Sequence, residues 1–257
     1  MSTSLNLSSS QDDSFENLAA SSPKAAMPLI ENLVTEGEII LVLGPSKSGK
    51  TSFKNHLSRQ FSTGGFLWSK RVEQAKTLIY DALRQEDFCS RQMMNSDTPE
   101  ISQASRRPQS EEPSPLLRLE YTLKAIKDHV LENDFKVLVV DNLSWLISDR
   151  SRVQTQILLS SCKELASHGV TIFLVQHTSN AKFDPVNPLG AVAGHSTLVR
   201  WVDGIIILNH LVRQYKNRRV FSVCLSLRSM KSSGPILTTI NEAGDFELVP
   251  KEVALDD

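Results

Sequence analysis

The run Ile39-Ile40-Leu41-Val42-Leu43 is continuously apolar, and Gly44-Pro45-Ser46-Lys47-Ser48-Gly49-Lys50-Thr51 follows it at once. Beyond that octet, Phe53, Leu57 and Phe61 recur about one helical turn apart. A short aliphatic run reads as a buried strand, the glycine-bounded octet as a loop, and the recurring apolar positions as an amphipathic helix. Strand, loop and helix in that order constrain the fold more than any other feature, because the octet fits G-x-x-x-x-G-K-[ST]. The pattern captures anions. Its glycines let backbone N–H groups turn inward and close on phosphate oxygens. The helix starting at Lys50-Thr51 directs its free N–H groups and partial positive charge at the same anion. Lys50 is expected to reach the β- and γ-phosphates, and the Thr51 hydroxyl to ligate Mg²⁺. The expected ligand is a nucleoside triphosphate, ATP, held by Gly44, Pro45, Ser46, Lys47, Ser48, Gly49, Lys50, Thr51 and the following Ser52.

A chain of 257 residues with 40% apolar content can bury one good-sized α/β core. The formal net charge of -1 gives no global basic footprint. Nucleic-acid contact must therefore come from a local patch or from a ring of subunits. Cys89, Cys162 and Cys224 are widely spaced and form no C-x-x-C pair, which argues against a disulfide framework or a zinc site. Two small apolar core side chains and one loop thiol are expected instead. No apolar run approaches the ~18 residues of a membrane span, and the amino terminus lacks a charged-then-apolar leader. A cytoplasmic location without membrane contact is the expectation.

Residues 1–27 are rich in Ser, Asn, Ala and acidic side chains and read as a disordered arm, with Phe15 to Ala20 able to form a short docking helix. Residues 28–250 read as one ATPase domain. Within it, Gly64-Gly65-Phe66-Leu67-Trp68 suggests a turn and short apolar cover, Lys76 to Tyr80 a second core strand, and Gln85 to Met94 a helix. Residues 95–115 carry Pro99, Pro108, Pro113 and Pro115 without apolar period and read as a mobile insertion. Leu116, Leu119, Tyr121, Leu123, Ile126 and Val130 resume helical spacing up to Asn133-Asp134. Lys136 to Asp141 is a β-branched-rich strand ending on a carboxylate. A helix follows from Ser151 to His168, capped by Ser151 and closed by Gly169. Val170 to Val175 is a strand leading to Gln176-His177-Thr178-Ser179-Asn180. Open α/β sheets bind ligands at the carboxyl ends of their strands, so Gln176 or His177 is a candidate for the γ-phosphate or its attacking water. Ala181 to Gly194 reads as a mobile loop, Ser196 to Trp201 as a short helix, and Gly204 to Leu208 as a strand. After a turn at Lys216-Asn217-Arg218, Phe221, Val223, Leu225 and Leu227 alternate strictly, which predicts an antiparallel hairpin at the sheet edge. Ile236 to Ile240 makes a last strand, and residues 251–257 an acidic tail.

Gly44 to Thr51, Lys136 to Asp141, Val175 to Asn180, Gly194 to Asp203 and Arg228 to Pro235 follow one another in an order that resembles the RecA-like ATPases. Within them, the order looks like the RepA-type hexameric helicases of plasmids and phages, relatives of DnaB. Val139-Val140-Asp141-Asn142-Leu143-Ser144, Gln176-His177-Thr178-Ser179, Gly194-His195-Ser196 with Arg200-Trp201, and Lys231-Ser232-Ser233-Gly234-Pro235 resemble that family's segments. The likeness covers about residues 28–250. It implies an α/β RecA-like P-loop core: a mostly parallel sheet flanked by helices, with a C-terminal antiparallel hairpin at its edge. It also implies a homo-oligomeric ring, perhaps a hexamer, acting on single-stranded DNA. By position, Lys50 and Thr51 resemble the phosphate and Mg²⁺ contacts, Asp141 the Walker B carboxylate, and His177 the residue sensing the γ-phosphate. A basic residue from the neighbouring subunit stabilises developing charge in such rings; Arg228 and Lys231 are the candidates, with Arg200 behind them.

One departure stands out. RecA-like ATPases carry a catalytic glutamate just after the second core strand, and the best fit of Leu78-Ile79-Tyr80-Asp81-Ala82-Leu83 places Ala82 there. Asp81, Glu86 and Glu73 are the nearby carboxylates. A nucleotide-binding regulatory or assembly protein with weak or no hydrolysis is the competing expectation.

Overall fold

The computed structural model describes residues 27–82, 114–148, 151–178, 196–227 and 235–250. Strands β1 (Pro28–Ile30) and β2 (Val34–Thr35) form a small hairpin ahead of β3 (Ile39–Gly44). The glycine-bounded loop enters α1 (Lys50–Thr63). A second small hairpin, β4 (Phe66–Leu67) with β5 (Lys70–Arg71), precedes β6 (Thr77–Asp81). Then come α2 (Pro115–Glu132), β7 (Val137–Asp141), the single turn α3 (Leu143–Leu146), α4 (Arg152–Ser167) and β8 (Thr171–His177). The chain continues through α5 (Ser196–Trp201), β9 (Gly204–Tyr215), β10 (Arg218–Leu227), β11 (Ile236–Ile240) and β12 (Phe246–Leu248).

Among the described residues, eight strands make one sheet in the order β12-β11-β10-β9-β3-β8-β7-β6. From β9 to β6 the pairings are parallel, and from β9 to β12 they are antiparallel. This is the mostly parallel sheet that the RecA-like resemblance implies, with the antiparallel edge that the alternation after Lys216 predicts. β3 lies at its centre, and all six of its residues are buried. Side chains of a strand alternate between faces. Ile39, Leu41 and Leu43 accordingly enter one core with α2 and α4, while Ile40 and Val42 enter the other with α1. A central strand covered on both faces needs apolar residues at every position, which explains its unbroken hydrophobic run.

α1 lays Phe53, Leu57 and Phe61 into the second core, each about 1% exposed or less. Burying a side chain of that size is worth roughly 1.5–3 kcal/mol. Phe53 stacks on Trp68 with ring centroids 5.6 Å apart, so the β4–β5 hairpin is more than a surface turn. α2 starts with Pro115 behind a Ser114 cap, and α4 with Ser151 accepting the Gln154 N–H. Both are arrangements that leave few unsatisfied amides at a helix start.

The sequence-based reading differs from the structure at β9, at β12 and at the two small hairpins. β9 does not stop at Leu208 but runs to Tyr215. Past Leu208 it leaves the sheet core and pairs with β10 alone, so burial ends and the apolar signal ends with it. The turn holds Lys216 at φ 50° and Asn217 at φ 59°. Positive φ at both central residues gives the two-residue turn that matches strand twist. The edge strand β12 and the two small hairpins are too short to carry a periodic signal. The arm, the helix from Gln85 to Met94, the insertion up to residue 113, the loop Ala181 to Gly194, the Arg228–Lys231 segment and the acidic tail all lie outside the described residues.

Candidate nucleotide-binding site

The octet closes a tight loop between β3 and α1. Gly44 is required there: a Cβ at this position would stand 2.3 Å from the Leu208 carbonyl oxygen and 2.4 Å from Ser48 Oγ. Gly49 adopts φ 90°, and a Cβ on it would meet the Phe221 ring at 3.1 Å. Lys47 is also left-handed, at φ 64°. Alternating handedness of this kind turns successive N–H groups toward one side, the concave anion site of a phosphate loop.

Lys50 is 5% exposed. Its Nζ donates to the Gly44 carbonyl at 2.8 Å, the Pro45 carbonyl at 2.6 Å and Ser48 Oγ at 3.3 Å. The ammonium is thus folded under the loop it serves. Burial pulls its pKa down from 10.5 to about 8, against the opposing pull of the Asp141 carboxylate. A bound phosphate would favour the charged form, so ligand and loop carbonyls compete for the same ammonium.

A cleft of about 470 Å³ opens over this loop. Lys47, Gly49, Lys50, Thr51 and Ser52 form its floor, and His177 stands at one side. The register explains His177: β8 pairs with β3 so that His177 lies opposite Gly44. The preceding Gln176 points to the other face, where it is 1% exposed and its Nε2 donates to Ser144 Oγ at 2.9 Å. Of the two candidates at this strand end, His177 is therefore the one in the cleft. Its imidazole is held below its ordinary pKa, first by partial desolvation and then by the Lys50 charge, with Asp141 opposing.

Asp141 ends β7 at the same edge. Its Oδ2 lies 2.5 Å from Lys54 Nζ, and both side chains are largely buried. Lys54 was not a sequence candidate. Its spacing carries the signal: one helical turn past Lys50, it shares that face of α1 and reaches the adjacent strand end. Among the described residues, no group of three or more His, Cys, Asp or Glu could hold a metal ion. An exposed Thr51 hydroxyl and one strand-end carboxylate are the sparse protein donors that suit Mg²⁺, which keeps its waters and takes oxygens from phosphates.

Ala82 is 2% exposed and packed in the first core. Asp81, in direct register with Asp141, is half-buried at the carboxyl edge of the sheet. Glu73 precedes β6 and pairs with Arg71, at the opposite end of the strand from the cleft. Glu86 lies outside the described residues.

The opposite wall was not foreseen. Arg218, Arg219, Phe221 and Ile240 close the cleft from β10 and β11. Arg228 and Lys231, the sequence candidates for a trans-acting cation, lie outside the described residues, and Arg200 is exposed on α5.

A phosphate loop between β3 and α1, with Asp141 on β7, in a sheet of this strand order is a RecA-like arrangement. A family model described as an AAA domain matches residues 3–182. The chain belongs to this AAA domain family. Its fold is that of a RecA-like P-loop ATPase, as two solved structures show. A KaiC-like protein from Pyrococcus horikoshii superposes with TM-score 0.53 at 16% identity, covering 88% of this chain and 98% of that one. The flagellar accessory protein FlaH from Methanocaldococcus jannaschii superposes with TM-score 0.53 at 10% identity, covering 84% and 90%. No curated protein matches the chain. Among the described residues, no helix of this AAA-domain protein is long and apolar enough to cross a membrane.

Proposed function

We propose that this AAA-domain protein binds ATP with Mg²⁺ in the cleft and hydrolyses it as a helicase-like motor. In this reading it acts on single-stranded DNA as a homo-oligomeric ring, in replication or mobile-element maintenance. The observation that carries the reading is the convergence of Lys50, Thr51, His177 and Asp141 on one loop at the carboxyl edge of the sheet. Lys50 would turn from its loop carbonyls to the phosphates, and Thr51 and Asp141 would hold Mg²⁺, which would neutralise phosphate charge when bound. His177 faces the terminal phosphate. A ring supplies the remaining cation from a neighbour, for which Arg228, Lys231 and Arg200 are the candidates. The tip of the β9–β10 hairpin supports a nucleic-acid contact. Arg213 and Lys216 are exposed there, and Lys216 lies over the Tyr215 ring at 5.2 Å. That is the local basic patch which a net charge of -1 requires.

The core-packed Ala82 favours a second reading, a nucleotide-binding regulatory or assembly protein. Without a carboxylate to orient water, hydrolysis drops by a few orders of magnitude. Asp81, Glu86 and Glu73 are the carboxylates that could restore it, and of the two described ones Asp81 stands at the cleft end of β6. ATP turnover of wild type and Asp141→Ala, with and without single-stranded DNA, decides between the two. The motor reading predicts DNA-stimulated turnover that Asp141→Ala abolishes, with a multimeric mass in an ATP analogue. Absent turnover in both proteins supports the second reading.

A further inference from the structure

The strand order divides the cleft into two ends. Asp141 and His177 belong to β7 and β8, on one side of β3. Arg218, Arg219, Phe221 and Ile240 belong to β10 and β11, on the other. The β9–β10 ribbon makes the second side a wall. Leu43 pairs with Ile207, and β9 then continues eight residues to Tyr215, about 26 Å farther at ~3.3 Å per residue. Phe221 of this wall lies close over Gly49: a Cβ added there would stand 3.1 Å from its ring.

A nucleotide lying over the loop with its γ-phosphate toward Asp141 and His177 must direct its α-phosphate and nucleoside at the ribbon. Among the described residues lining the cleft there is no carboxylate, so any compensation of the wall's positive charge comes from outside the lining. The two arginines differ. Arg218 Nη1 is engaged by Glu247 at 3.2 Å. Arg219 is exposed, and its guanidinium has no ion pair or hydrogen bond among the described residues.

Building on the ATP-site reading above, we infer that Arg219 is a binding residue supplied by the same chain, contacting the α-phosphate side of the nucleotide. A guanidinium offers two parallel N–H donors to a phosphate. Phe221 fixes the ribbon against the loop, and Arg218, held by Glu247, fixes its edge. The nucleoside-side cation is therefore present in a single subunit, before any ring forms.

The two ends of the nucleotide can be separated by comparing ATP with ADP. Their dissociation constants are measured by calorimetry for wild type, Arg219→Ala and Lys50→Ala, with urea unfolding confirming that Arg219→Ala is folded. Loss of one charged phosphate contact corresponds to about tenfold in affinity. Arg219→Ala is expected to weaken ATP and ADP by that same factor. Unchanged affinities overturn the inference, as does a loss confined to ATP, which would place Arg219 at the γ end. Lys50→Ala keeps the two claims apart: if it loses binding while Arg219→Ala binds normally, the phosphate loop stands and the arginine assignment falls. If Lys50→Ala binds normally, both fall.

Discussion

At the scale of single residues, the ion pair between Lys54 and Asp141 sets the electrostatics of the site. A carboxylate at a strand end, mostly removed from water, needs a partner, and at 2.5 Å Lys54 supplies it. Taking away one member of a buried pair costs more than the pair is worth, because the survivor stays charged. Lys54→Met should therefore lower stability by about 3 kcal/mol. Lys54→Met with Asp141→Asn should recover a good part of that in urea unfolding, and strictly additive losses would rule out the coupling. Neither partner was paired by inspection of the sequence. The phosphate loop was legible because its chemistry is local: eight consecutive residues carry the turn, the amides and the ammonium. The Lys54–Asp141 contact joins residues 87 positions apart, and only the docking of α1 on the sheet brings them together.

At the scale of elements, α1 is tied down at both ends. Its start belongs to the phosphate loop. Farther along, His56 Nδ1 lies 2.8 Å from Asp245 Oδ1 and Arg59 Nη2 2.7 Å from the same oxygen, joining the helix to the β11–β12 turn. His56 is 2% exposed. Burial, the largest influence, lowers its pKa below 6.5, while the bond to Asp245 works the other way. The unfolded chain then takes up the proton first, so this group withdraws stability as pH falls below about 6.5. Thermal unfolding from pH 7.5 to 5 should show a drop in Tm that is smaller in His56→Gln, which cannot titrate. Equal drops would remove His56 from the account. The same scale shows why the arginine wall was missed. The strict alternation of Phe221, Val223, Leu225 and Leu227 announced β10, but alternation reports burial and not height. Nothing in the residues after Leu208 shows that the β9–β10 ribbon overshoots the sheet and carries Arg219, on β10, over a loop far earlier in the chain.

At the scale of the whole molecule, the mostly parallel sheet gathers β3, β7 and β8 so that their carboxyl ends meet at one edge, while the antiparallel extension builds a wall beside it. Long buried runs made the parallel half readable, since strands covered on both faces are apolar throughout. The short edge strand and hairpins left no such trace. The departure at Ala82 separates two properties of this fold. In the proposed reading, nucleotide capture rests on the loop and α1, while hydrolysis would need a carboxylate at the end of β6, where Asp81 stands in register with Asp141. ATP binding to wild type and to Lys50→Ala, measured by calorimetry in Mg²⁺, tests nucleotide capture most directly. The wild type should bind and the variant should not, and an unchanged affinity in Lys50→Ala would contradict the assignment of the cleft as a nucleotide site.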